Sequence, residues 1–327
     1  MKKTFIQVIA FVILTFSMTY GQNIGIDKVG TTSFQFLKVI PDARATGMGE
    51  AFVSVTDNSE SVFWNPAGLS KINGFDASFS YVDYFLDVSH LSFSAAYNLD
   101  GIGVIGVQAL MNDIGSIEVT RVSSLYRDEN GNYNPGLTGE TVTPGSKVFG
   151  LSFSRKLTDK FAFGLTAKYA YEDLVVKSAS SIIFDGGLLY QTGFRSIQIG
   201  ASLRHFGPEV KFFDKSYPLP QTFTIGISAN VLAPENSLLM DVSDQRMLVA
   251  FDLSHPRDYT QQYQLGLEYA FKEMFFLRAG YKANFDEEGL TLGAGVKYNS
   301  YRIDYSFNDY GEYLGNVHRF TIGFSTN

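Results

Sequence analysis

The fold this sequence predicts is all-β: a transmembrane outer-membrane β-barrel of about fourteen antiparallel strands, with an N-terminal plug that contains short helices. Three observations predict it. Apolar residues alternate with small, mildly polar ones in segment after segment between Phe75 and Phe324, and period two marks a strand with two different faces. Charged residues make up 18% of the 327 residues, against about 25% in an ordinary globular chain. The rings of 29 Phe and 19 Tyr recur along the apolar stripes, with tyrosines at or near their ends, where a barrel carries its interfacial girdles.

The first element is a processing signal. Met1-Lys2-Lys3 is a short basic start, Phe5 to Phe16 is almost wholly apolar, and Thr19-Tyr20-Gly21 ends on a small residue. These are the three parts of a secretory signal peptide, expected over residues 1–21. The apolar run is shorter than the ~20 residues a membrane-spanning helix needs. Removing Lys2 and Lys3 takes the net charge from −7 to −9. No comparable apolar run follows, so no transmembrane helix is expected.

The second element, 22–74, lacks sustained alternation. It contains Pro41-Asp42-Ala43-Arg44, then Gly47-Met48-Gly49, then Trp64-Asn65-Pro66-Ala67-Gly68-Leu69. Asn65 followed by Pro66 fits a helix N-cap and the first helical position, with the Asn65 oxygen accepting an amide hydrogen two or three residues on. Gly47 and Gly49 suit tight backbone turns. The segment is apolar and too long for a signal remnant, and the economical place for it is inside the barrel, as a plug or hatch. Arg44 is its expected electrostatic anchor, paired with Asp304 and Glu268 on the inward face.

The third element, 75–327, counts out strands. Phe75, Ala77, Phe79 and Tyr81 share one face, as do Leu91, Phe93, Ala95 and Tyr97. The pattern returns around Phe149 to Phe153, Phe163 to Tyr171, Ile182 to Tyr190, Ile197 to Leu203 and Phe223 to Ala229. It continues around Val249 to Leu253, Tyr263 to Tyr269, Phe275 to Tyr281, Leu290 to Tyr298, Tyr301 to Phe307 and Phe320 to Phe324. Ile102 to Met111 is apolar on both faces and alternates poorly; with it the count is fourteen. That leaves about 18 residues per strand and connection, where a spanning strand takes roughly 9–11.

The opposite face is small and mildly polar, with Ser78, Thr166, Gly200, Gly226, Gly266, Gly280 and Gly293 among its residues. A soluble sandwich would carry many Lys and Glu there. The apolar face is therefore the one that meets outer-membrane lipid. Even-to-odd connections are short, and the longest connection, from Asn112 to Gly145, falls outside, as the outer-membrane pattern requires. The stretch from Val231 to Arg246 is long for a periplasmic turn and breaks the pattern.

The pieces quoted from Phe36 to Leu69, together with Leu314-Gly315-Asn316-Val317-His318-Arg319-Phe320-Thr321-Ile322-Gly323-Phe324 at the end, resemble the PorV/PorQ family of the Bacteroidetes outer membrane. The likeness spans essentially the whole mature chain. It is specific in the plug, where the wording is closer to PorV than to PorQ, and looser in the strands. The resemblance implies a FadL-type barrel of fourteen strands whose hatch holds an Asn-Pro-Ala motif, matched here by Asn65, Pro66 and Ala67. It also implies association with type IX secretion, where such barrels accompany the translocon and receive secreted cargo. The resemblance marks Arg44, Gly47, Met48, Gly49, Trp64, Asn65, Pro66 and Ala67 as the plug motif.

No enzyme chemistry is legible. The chain has no Cys, which excludes thiolate metal sites and disulfides. Gly101-Ile102-Gly103-Val104-Ile105-Gly106 matches a dinucleotide fingerprint, but a strand starts at Ile102 where a helix would have to begin. Asp128, Asn130 and Asn132 resemble the start of a calcium loop, yet Tyr133 stands where its glycine is required. His90, His205, His255 and His318 sit at unrelated strand ends as solvated or interfacial residues. No catalytic residue, cofactor or metal is expected, and the acidic balance argues against nucleic acid. Two function classes remain: a secretion barrel that binds a translocon or cargo protein, and a FadL-like passive channel for a hydrophobic ligand.

Overall fold

The computed structural model describes residues 30–86, 88–127, 129 and 131–326. The expected signal peptide, the first residues of the 22–74 segment, and Asp128 and Asn130 of the calcium-like loop lie outside the described residues. Fourteen strands close into one antiparallel barrel. They are β1 (Phe75–Asp83), β2 (Ser89–Leu99), β3 (Gly103–Asp113), β4 (Gly145–Lys156), β5 (Phe161–Asp173), β6 (Ser178–Gln191) and β7 (Gln198–Phe206). Then follow β8 (Thr222–Ala233), β9 (Gln245–Pro256), β10 (Gln262–Phe271), β11 (Phe275–Ala283), β12 (Leu290–Tyr298), β13 (Tyr301–Asp309) and β14 (Asn316–Ser325). Each strand pairs with its neighbour in sequence, and β1 pairs with β14 to close the ring.

Along the strands, side chains alternate between the two faces, with slips at bulges. Phe79, Leu151, Leu165, Leu277 and Ile322 stand exposed on the outside, while Ser80, Ser152, Thr166, Arg278 and Thr321 are buried inside. An exposed apolar belt this continuous belongs in lipid, because water would not tolerate it. No helix among the described residues is long and apolar enough to cross a membrane; the chain crosses with strands. The rim with the short turns, such as Asn299-Ser300 between β12 and β13, is the periplasmic one.

Three local features depart from the sequence reading. The long outer connection after β3 carries strands of its own: Ile117–Arg127 and Tyr133–Val142 pair as a separate ribbon that prolongs the β3–β4 hairpin beyond the barrel. The long Val231–Arg246 stretch is shortened because β8 runs on to Ala233 through a bulge near Asn230, and Met240–Asp241 folds back parallel to its end. In β3 the poor alternation has a cause, since inward Val104 and Leu110 pack on apolar side chains inside the barrel.

Those interior side chains belong to residues 32–72, which run down the lumen from the outer rim to the periplasmic rim. Ser33 N–H donates to Pro218 O in an outer loop. Ser59 N–H, lower down, donates to Asp76 near the start of β1. The segment contains α1 (Ala43–Gly47), α2 (Ser61–Trp64) and 3-10 helices at Gln35–Lys38 and Pro66–Lys71. Its backbone touches the wall where the strands carry glycine. A Cβ on Gly280 would fall on the amide of Gly49, and one on Gly187 would fall on the Asn65 side chain. The small inward face is therefore the space this segment fills.

Candidate functional site

Two halves of the lumen are closed by different chemistry. In the outer half, Phe34, Phe36 and Leu37 pack with inward Leu110, Val148, Ala170 and Ile183 and with Val210 and Leu219 of the β7–β8 loop. Burying a side chain of this size contributes about 1.5–3 kcal/mol. A polar clamp lies over this core: Asp258 accepts from Thr32 at 2.8 Å and pairs with Lys38 at 2.5 Å. Burial alone would raise the Asp258 carboxyl. The Lys38 cation, with the Thr32 and Gln35 hydrogen bonds, more than offsets it and holds the group below the usual carboxylate range.

The periplasmic half is ionic. Glu268, fully buried on β10, receives Arg44 Nε at 2.9 Å, Arg278 Nε at 2.7 Å and Arg246 Nη2 at 2.8 Å. Arg278 also reaches Asp304 at 2.7 Å, and Arg302 links Asp304 to Glu60 of the luminal segment at 2.7 and 2.6 Å. Arg44 holds a second carboxylate, Asp57, at 2.7 Å. The expected partners of Arg44 thus need one correction. Glu268 is a partner, but Asp304 is held by two barrel arginines, and Asp57 of the segment itself takes the second place on Arg44.

The remaining motif residues sit as follows. Met48 is buried with Ile40, Ala45, Ala51, Phe52, Val55 and Trp64. Gly49 has φ +64° and turns the chain beneath β11. Gly47 makes no turn; it lies in α1, where a Cβ would stand 3.0 Å from the Cα of Gly293, so its smallness serves close approach. Trp64 meets Phe52 edge-on at 5.9 Å and donates its indole N–H to Asp42 at 3.1 Å. Asn65 accepts from Ala67 N–H at 3.1 Å and donates to Val53 O and Leu188 O. Pro66 begins the 3-10 helix that Asn65 caps, and Ala67 is buried against Ala162 and Leu189.

Sequence reasoning missed two residues that organise the segment. Asp42 caps α1 through Ala45 N–H and holds Trp64. Asp252 on β9 accepts the amides of Phe52 and Val53, both at 2.8 Å. Its place as an acid between the apolar Phe251 and Leu253, on the inward face, was the signal. Two histidines also need correction. His90 and His205 are buried rather than solvated; His90 points inward beside Tyr84, and His205 is turned in at φ +60° where β7 slips register against β6. Glycines 101, 103 and 106 are turn and strand positions of the β2–β3 hairpin. Among the described residues no His, Asp and Glu cluster could hold a metal ion.

Below the ionic network a cavity of about 230 Å³ is lined by Arg44, Asp57, Lys71, Arg246, Lys297 and Arg302 among others. Burial lowers the Lys71 ammonium to about 8 despite the nearby Asp57 carboxylate. In the apolar outer half a void of about 30 Å³ lies beside Leu37, Ile40 and Phe63. A further void of about 20 Å³, room for one water, lies beside Asp252 and Arg204.

Solved barrels of the FadL type share this fold. The CymD monoaromatic hydrocarbon channel is 14% identical over 90% of this chain and 99% of its own, with a TM-score of 0.59. The Pseudomonas putida toluene transporter TodX is 14% identical over 86% and 97%, with a TM-score of 0.56. A Pseudomonas aeruginosa FadL homologue is 11% identical over 88% and 98%, with a TM-score of 0.50. Identities this low show the fold alone. No curated protein sequence matches the chain. A family model, type IX secretion system membrane protein PorP/SprF, matches residues 143–324, from just before β4 almost to the end of β14. That family is one of secretion-system membrane proteins and not of enzymes, and its barrels lie in the outer membrane. The chain belongs to the PorP/SprF family of type IX secretion system membrane proteins.

Proposed function

We propose that this barrel is an accessory, cargo-engaging component of type IX secretion, shut by its own residues 22–74 acting as a hatch in the 75–327 barrel. The observation that carries the reading is the filling of the outer lumen. Phe34, Phe36 and Leu37 occupy the apolar space through which a hydrophobic solute would have to pass, and the cavity at the periplasmic end is lined by charge. A sealed barrel acts through its surfaces, and the partners it meets are a translocon or a secreted protein. The PorV-like wording of Phe36 to Leu69 supports the cargo-receiving role; it lies outside the stretch matched by the family model. Tagged protein purified intact from outer membranes tests this. Copurification of a type IX translocon barrel or a secreted cargo protein is the expected result. Recovery of the barrel alone, carrying a bound hydrophobic small molecule, would replace this reading with FadL-like passive transport.

A further inference from the structure

The cavity at the periplasmic mouth has more donors than its own protein can satisfy. The buried carboxylates Glu268, Asp304 and Glu60 sit behind the arginines and are already ion-paired with them. Among the described residues, the ammonium groups of Lys71 and Lys297 make no hydrogen bond or ion pair at contact distance, although both line the cavity and Asp57 lies near Lys71. Arg246 Nη1, Arg278 Nη2 and Arg302 Nη1, on three further lining residues, likewise find no protein acceptor. Of the three lining carboxylates, Asp57 and Glu273 each already accept from an arginine, and Asp76 accepts from Ser59 N–H. A guanidinium or ammonium has donors and no acceptor, so the donors left over call for further oxygen atoms carrying negative charge. At about 230 Å³ it is large enough for a small anionic group together with water.

We propose that this cavity is a binding site for an oxyanion, a carboxylate or a phosphate, presented from the periplasm. Arg246 and Arg302 offer the planar donor forks suited to such groups, and Lys71 and Lys297 supply unpaired charge. Burial depresses the empty Lys71 ammonium, and an anion beside it removes that penalty. The site does not rest on the secretion reading, since it uses only the periplasmic end of the lumen.

The group could be a free anion or a carboxylate on a polypeptide, and the test separates them. The purified, folded barrel in detergent is titrated with inorganic phosphate and, in parallel, with a hexaglutamate peptide, against chloride at matched ionic strength. Trp64, the one Trp in the chain, gives the fluorescence readout, and heat-modifiable gel mobility confirms the barrel. A saturable response to either probe is expected; the probe that saturates at the lower concentration identifies the source. Lys71→Gln with Lys297→Gln should raise the half-saturating concentration at least tenfold, whereas Lys71→Arg should leave it within about threefold. If the double variant fails to assemble, Lys297→Gln alone, altered at an exposed side chain, should still raise it about threefold. No saturable response to either probe, or an unchanged response in the lysine variants, overturns the proposal.

Discussion

The outer and periplasmic halves of the lumen solve the same problem by opposite means. Above, rings and aliphatic chains exclude water without directional bonds: Phe34, Phe36 and Leu37 meet inward Leu110, Val148 and Ile183. Below, four arginines and their carboxylates form a chain of ion pairs from Asp57 through Glu268 and Asp304 to Glu60. Apolar packing tolerates small shifts in geometry, and a buried charge network does not, because a charge that loses its partner is left desolvated. The lower half therefore fixes the register of the luminal segment, and the upper half supplies general adhesion. The location of Trp64 in the segment lets its fluorescence report seating, while heat-modifiable mobility reports the barrel itself.

The largest effect should come from cutting each half at its most buried point. Glu268→Ala leaves Arg44, Arg246 and Arg278 without their shared carboxylate, and breaking a buried pair costs ~3–5 kcal/mol. Chemical unfolding of the purified barrel should show that loss, with a red shift of Trp64 emission at low denaturant. Phe34→Ala opens a cavity in the outer half at a similar nominal cost of ~3–5 kcal/mol. Here the expected signature differs: protease access near the outer rim should rise while Trp64 emission stays in place. If Phe34→Ala moves Trp64 as much as Glu268→Ala does, the two halves are one cooperative unit and the contrast fails.

A third substitution lies outside both halves. Leu267 is mid-strand on the outward face of β10, between Val249 and Ala279, and its neighbours Gly266 and Glu268 point inward. Leu267→Arg should cost ~2–4 kcal/mol near the bilayer midplane, seen as slower assembly into vesicles, with Trp64 emission unchanged once the barrel is assembled. Assembly of Leu267→Arg into vesicles at the wild-type rate and stability would show that the faces are wrongly assigned.

The barrel was legible because period two is a property of neighbouring residues. Phe275, Leu277, Ala279 and Tyr281 declare a lipid face with no knowledge of what lies across the lumen. Asn65 and Pro66 announced a cap for the same local reason. The luminal network was only half legible, because its contacts join residues more than 200 positions apart, as Arg44 and Glu268 are. Sequence offered the inward acids Asp304 and Glu268 but no register between segment and wall. Glycine was misread at Gly47 for a related reason: a turn and a close approach ask for the same missing Cβ, and only the position of Gly293 tells them apart. The outer ribbon escaped because Val122 and Leu125 interrupt alternation where the two strands slip register, between Thr120 and Leu125.

The smallest expected effect sharpens the contrast most, because it uses the same guanidinium twice. Arg44 binds Glu268, whose side chain is fully buried, and Asp57, whose side chain is 41% exposed to the cavity. Both contacts are short, 2.9 and 2.7 Å, so distance does not rank them. Solvent does. A pair open to water gains little, because hydration of the separated ions nearly equals their attraction, and such pairs contribute about 0–1 kcal/mol. Asp57→Asn also keeps an acceptor oxygen for the Arg44 Nη1 donor. Its cost should stay below about 1 kcal/mol and shrink further as salt is raised from 0.05 to 0.5 M, since screening acts on the exposed pair. The Glu268→Ala penalty should change little over the same range. A salt-insensitive loss of several kcal/mol in Asp57→Asn would mean that water does not reach this pair, and that the ionic seal extends to the periplasmic mouth itself.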